Sequence, residues 1–206
     1  MSNLTLLATF WAAFFLALIS PGPSFALVAG TALREGRRRA LRTAIGLAAG
    51  EAAWACAAVF GVSALAAQHP SLATALKIGG GAFLLFLGLS ALWTAIRNPA
   101  RAEVAQATST DGTSFWRGFS LMLLNPKAGV FWVSLSSLFL GPDITAGLAA
   151  AAVAGAVLLS MLWHCALAWV LSAGYVARLF RRVRRGIDAV FGVVMAALGV
   201  RLILSN

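Results

Sequence analysis

The chain has 206 residues, of which 61% are hydrophobic and 11% charged, against about 25% charged in a soluble domain. That composition excludes an ordinary soluble fold, which could not hide so much apolar surface, and points to lipid as the solvent. The formal net charge of +10 would by itself suit nucleic acid, but thirteen of the 16 basic residues cluster at 34–42, 97–117 and 178–185, between apolar runs. Basic short loops set membrane topology, so no nucleic-acid partner is expected.

The first span is predicted over about Leu4 to Leu33, interrupted at Pro21-Gly22-Pro23. It has no basic leader and runs into Pro-Gly-Pro, so it is expected to be retained rather than cleaved. An arginine-rich loop opens at Arg34-Glu-Gly-Arg. A second span follows from about Thr43 to Ala67, then a turn at Gln68-His69-Pro70-Ser71. The third span covers about Ala73 to Ile96. The polar stretch Asn98 to Ser114 reads as a linker. The fourth span, about Phe115 to Leu140, is interrupted at Asn125-Pro126. A turn at Gly141-Pro142-Asp143 precedes the fifth span, about Thr145 to Val176. A basic turn, Arg178 to Arg185, leads to the sixth, about Ile187 to Leu204. Cys56 and Cys165 sit inside apolar runs and read as small packing residues, with no disulfide framework and no metal spacing.

The first, third and fifth loops are basic, whereas the second and fourth carry no Lys or Arg. This alternation predicts both termini outside the cytoplasm. With three spans per half, the second half enters from the opposite side to the first. The expected fold is therefore an all-α polytopic membrane protein of six transmembrane helices. It forms one transmembrane domain over 1–206: a three-helix repeat (1–97), a cytoplasmic linker (98–114) and a second, inverted repeat (115–206), with the first and fourth helices broken.

Broken helices at corresponding positions of two halves point to a transport site. Proline lacks an N–H, so Pro21, Pro23 and Pro126 are expected to free the carbonyls of Ala17, Ile19 and Met122. Gly22 between two prolines favours local unwinding over a plain kink. Ionisable groups inside spans are the second signal. Glu51 lies about 12 Å from the cytoplasmic end of its span, Lys127 about 15 Å and His164 about 18 Å, at 1.5 Å per residue. These groups, from different spans, reach similar depth. Glu51 and Lys127 could equally form a structural ion pair, and His164 could simply bond a neighbouring helix. Asp188 is expected to serve the N-terminal dipole of the sixth span, and Lys77 and Arg201 to snorkel. Gly46-Leu-Ala-Ala-Gly50 and Gly79-Gly80-Gly81 have the spacing of close helix packing.

Ser20-Pro-Gly-Pro-Ser24, Arg34-Glu-Gly-Arg37, Gly46 and Gly50-Glu51 resemble the opening of the LysE/RhtB amino-acid exporter family. In the second half, Phe115-Trp-Arg-Gly118, Leu124-Asn-Pro-Lys127, the pair Phe131-Trp132 and the ending Gly199-Val-Arg-Leu202 are similar to the same family. One departure is Leu135-Ser-Ser-Leu-Phe139, where a Leu-Pro-Gln-Phe-like stretch is expected. The resemblance spans essentially the whole chain. It implies proton-driven efflux of amino acids or related metabolites across a bacterial inner membrane, by a homodimer.

The residues then suggest a division of labour. Lys127 and the amides after each break suit a substrate carboxylate. Glu51 and the freed carbonyls suit its ammonium, and Glu51 or His164 would carry the coupled proton. Pro21, Gly22, Pro23, Asn125 and Pro126 complete the expected pathway. No cofactor is expected. A membrane enzyme would need a catalytic set that these residues do not make. The alternative is an exporter of metal cations or other small solutes from the same superfamily, although a cation site would want several carboxylates or thiols.

Overall fold

The computed structural model describes residues 2–20, 22–68, 70–97, 113–139, 144–171 and 174–204, and all of its regular structure there is helical. In chain order the helices are α1 (Asn3–Ile19), α2 (Pro23–Glu35), α3 (Arg37–Gln68), α4 (Pro70–Arg97), α5 (Ser114–Leu123), α6 (Pro126–Phe139), α7 (Ala146–Leu171) and α8 (Gly174–Leu204). Among the described residues four helices, α3, α4, α7 and α8, contain a stretch long and apolar enough to cross a membrane. The pair α1–α2, bent by 54°, makes up to five. The predicted fourth span, α5 with α6, is present as two short helices of 10 and 14 residues.

Local chemistry places several boundaries. The Ser2 hydroxyl accepts the Thr5 N–H at 3.2 Å and caps α1. Pro23 and Pro126 are the first residues of α2 and α6, where the missing N–H costs nothing because no helical partner exists for it. These two prolines open new helices rather than kinking old ones. The loop expected after Arg34 is much shorter than its polarity suggests. Only Gly36 separates α2 from α3, at φ +86°, a backbone region that glycine enters freely. The basic turn expected at Arg178–Arg185 is instead the opening of α8, which is helical from Gly174. Arginine is a good helix former, so a charge run read as a loop became helix. Pro21, residues 98–112 of the linker and the turn at 141–143 lie outside the described residues, as do the side chains of Lys77, Pro126 and Arg178–Arg185.

Packing is carried by small residues. α4 lies along α8, with Gly81 against the carbonyl of Gly199 and Gly88 against that of Gly192. Residue numbers rise on one helix as they fall on the other, so the two run antiparallel. α5 runs parallel to α3: Gly46 meets the backbone of Phe115, Gly50 meets Met122, and Gly118 returns the contact at the Thr43 carbonyl. α1 likewise runs parallel to α7. Trp11 packs on Gly155 and donates its indole N–H to the Ala152 carbonyl at 3.1 Å, and Phe15 meets Trp163 edge-on. Close backbone approach without a side chain in the way is how helices associate in lipid. Cys165 is half-buried, but Cys56 is exposed rather than packed, and both are free thiols.

Two apolar clusters result. One gathers Phe10, Phe14, Trp132, Leu135, Phe139 and Phe191 from α1, α6 and α8. The other gathers Val28, Ala44, Leu47, Met122 and Leu167 from α2, α3, α5 and α7. Trp54 packs against both.

Candidate functional site

A cavity of about 680 Å³, its open mouth included, borders residues of both clusters. It is bounded by both helix breaks: Ser20, Gly22, Pro23, Ser24 and Phe25 on the first, Asn125, Lys127 and Ala128 on the second. Glu51 from α3 and Trp163 and His164 from α7 complete the polar wall. Thus Gly22, Pro23, Glu51, Asn125, Lys127 and His164 line one space. Pro126 lies between Asn125 and Lys127 at the start of α6. Pro21 is outside the described residues.

The two breaks differ. At the second, Asn125 caps α6: its Oδ1 accepts the Lys127 N–H at 3.1 Å and its carbonyl accepts the Ala128 N–H at 3.0 Å. The expected free amides after this break are therefore occupied. So is the carbonyl that Pro126 was expected to free. Met122 O accepts the Trp54 indole N–H at 3.1 Å. The same carbonyl also accepts the Asn125 N–H at 3.3 Å, so a backbone donor and an aromatic donor from another helix satisfy it together, as lipid demands. At the first break, Gly22 is the N-cap of α2 and offers no side-chain cap, so this end of the helix dipole opens on the cavity.

Asn125→Ala is expected to loosen the second break. Losing an N-cap costs about 0.5–2 kcal/mol, and the lost bond reorients Lys127. Export rate should fall severalfold at near-normal protein abundance, measured by efflux per folded molecule. Wild-type export would show that the cap does not position Lys127.

Glu51 is 5% exposed and takes a hydrogen bond from the Trp132 indole N–H on α6. It forms no ion pair with Lys127, since the ion pairs among the described residues join Glu35 to Arg39 and Arg117. The Lys127 ammonium lies 5.5 Å from the centre of the Phe191 ring. Asp188 is 5% exposed and fourteen residues into α8 (188 − 174), so it does not serve the helix N-terminus as expected. His164 is 2% exposed. Its Nδ1 sits 2.9 Å from the Ser160 carbonyl. A carbonyl can only accept, so Nδ1 donates. In the neutral ring Nε2 is then an acceptor, and it has no protein partner among the described residues.

Reading the sequence alone misses Trp132, Asp188 and Phe191 as parts of this site. Asp188 carried a usable signal, a carboxylate followed by an unbroken apolar run, but the basic residues before it drew the span boundary too late. The aromatic wall carried none, because aromatic residues are frequent throughout membrane helices.

A multi-helix membrane protein with a polar cavity at two helix breaks is the class these features define. The LysE type translocator family model matches residues 15–206, and the chain belongs to that family. It is 31% identical over 196 residues to the threonine efflux protein of Salmonella typhimurium, covering 92% of this chain and 93% of that one. It is 29% identical to the threonine efflux protein of Escherichia coli over the same shares. It is also 28% identical over 202 residues to the cysteine/O-acetylserine efflux protein of Escherichia coli O9:H4, covering 96% of this chain and 97% of that one. No solved structure matches significantly.

Proposed function

We propose that this chain exports amino acids or related metabolites across a bacterial inner membrane, coupled to protons, by alternating access. The observation that carries the reading is the single cavity shared by both breaks and by Glu51, Lys127 and His164. The family membership and the efflux proteins among its relatives support it. Six spans as two inverted repeats, with both termini outside, form the frame. The helix directions support it: α1 runs parallel to α7 as α5 does to α3, and α4 opposes α8. Exchanging the halves maps the first two relations onto each other and the α4–α8 pair onto itself.

Within the cavity the Lys127 ammonium and the uncapped start of α2 hold the substrate carboxylate. Glu51 Oε2 and His164 Nε2 face its ammonium. Glu51 carries the coupled proton, with His164 as the alternative carrier. Rocking of one half on the other exposes the cavity to each side in turn. A homodimer is the assembly we propose.

Export of labelled amino acids from cells with and without the protein tests the reading. Lys127→Met keeps the length of the side chain and removes the charge. A charge-assisted hydrogen bond contributes about 1.5–3 kcal/mol, so export should fall about tenfold to a hundredfold at unchanged abundance. No difference between cells with and without the protein, across a full amino-acid panel, would remove the exporter reading.

A further inference from the structure

We infer that Trp132 is the positioning residue that keeps proton and substrate movement coupled: its indole N–H ties the two halves together through Glu51 whenever that carboxylate is charged and unoccupied. This rests on the proposed proton-coupled export and names what stops the empty carrier from turning over. Among the described residues three indole N–H groups cross from one half of the chain to the other. Trp11 on α1 donates to the Ala152 carbonyl on α7, and Trp54 on α3 to the Met122 carbonyl on α5, each at 3.1 Å. A backbone carbonyl accepts at any pH and whatever the cavity holds, so these two ties do not switch. Trp132 on α6 differs, because its acceptor is the Glu51 carboxylate on α3. The indole N–H can only donate. Its bond to a charged carboxylate is about twice as strong as one to a neutral oxygen, a difference of about tenfold in an equilibrium.

Glu51 lines the cavity, whereas Trp132 stands behind it and is fully buried. A proton or a substrate ammonium therefore reaches the acceptor and never the donor. The indole ring is also gripped from the first half, by Phe14 and Phe10 of α1 at 5.1 and 6.1 Å between ring centres. Of the other titratable groups, Lys127 on α6 and His164 on α7 share the cavity wall and Asp188 is buried on α8. Among the described residues α1, α2, α4 and α5 bring none to that wall. An exporter that exchanges substrate for protons must not reorient empty, since each empty return completes a proton leak. An occupant shifts an equilibrium only by interacting differently with its two states. Empty and deprotonated is the state in which Glu51 holds Trp132 most firmly. A proton on Glu51 leaves a neutral oxygen for the indole, and a substrate ammonium on Oε2 draws on the same charge. Either occupant loosens the tie, so the halves move when loaded and stay put when empty.

Trp132→Phe keeps an aromatic ring and removes the N–H. The purified chain is reconstituted in proteoliposomes that hold a pH-sensitive dye, and an inward acid step is applied at clamped membrane potential with no amino acid present. Wild type should admit protons no faster than protein-free vesicles. Trp132→Phe should admit them about tenfold faster, while exchange of labelled mixed amino acids at equal pH stays within severalfold of wild type. Adding Glu51→Gln to Trp132→Phe should seal the leak again, because the proton travels on Glu51. A wild-type leak as fast as amino-acid exchange overturns the inference whether or not the variant folds. So does a folded Trp132→Phe that stays sealed, whether its exchange is normal or lost, for Trp132 would then serve packing alone. Wild-type export that ignores a pH gradient overturns proton coupling and this inference with it, and leaves amino-acid export standing. Absence of exchange with every amino acid overturns all three.

Discussion

Replacing Glu51 with glutamine is expected to abolish the response of export to an imposed pH gradient while leaving the chain folded and inserted. Glutamine keeps the shape of the side chain, and its carbonyl oxygen can accept the Trp132 indole N–H as Glu51 does. What it loses is the ability to take up and release a proton. No partner is stranded by the change, because Glu51 makes no ion pair with Lys127 among the described residues. Efflux from proteoliposomes with a pH step should drop to the rate without one. Exchange of substrate at equal pH on both sides should persist within severalfold, since it moves no net proton. A wild-type gradient response in Glu51→Gln would show that the proton travels elsewhere. His164 would then be the first candidate, because Nε2 is its open nitrogen. Because Glu51 and Lys127 form no ion pair, Glu51→Gln combined with Lys127→Met should be as abundant as Lys127→Met alone.

The second large effect is expected on folding. Gly88→Leu or Gly192→Leu should prevent a stable fold. A Cβ on Gly88 would sit 2.6 Å from the Gly192 carbonyl, and one on Gly192 would sit 2.8 Å from that of Gly88. Both obstacles are backbone, which cannot swing aside. Overpacking a core costs about 1–3 kcal/mol even where side chains can adjust, and here two whole helices must part. Detergent-solubilised variant should elute as aggregate and melt many degrees lower. Gly79→Leu is the control, because a Cβ there meets nothing within 4 Å. Normal behaviour of Gly88→Leu alongside Gly79→Leu would mean that the seam is looser than it looks.

These contacts also show which parts of the molecule could be seen in the sequence. Apolar runs, proline breaks and isolated charges announce themselves, because each violates a rule of life in lipid. Helix positions followed from the first, and Glu51, Lys127 and His164 were nominated by the last. Gly46 and Gly50 had a recognisable spacing and do meet α5. Gly81 and Gly88 were harder, because their seven-residue spacing gains meaning only from the matching pair Gly192 and Gly199 on the other helix. Partners of polar groups were invisible. Nothing in the local sequence says that Trp54 will reach the Met122 carbonyl or that Trp132 will reach Glu51, since both contacts cross about 70–80 residues. The same holds for Asn125, whose role as a cap shows only once α6 exists.

The reciprocal glycine seam bears on how the chain is made. α4 packs chiefly on α8 and α6, and α3 on α5 and α7. The helices synthesised first therefore find their main neighbours only among those synthesised last. In the bilayer α3 and α4 can be inserted early, each with its backbone bonded internally, but they must wait as loosely associated rods until α8 emerges. Until then the bare glycine track on α4 is open to another copy or to a neighbouring membrane protein. Chain completion, rather than insertion, is thus the committing event of biogenesis.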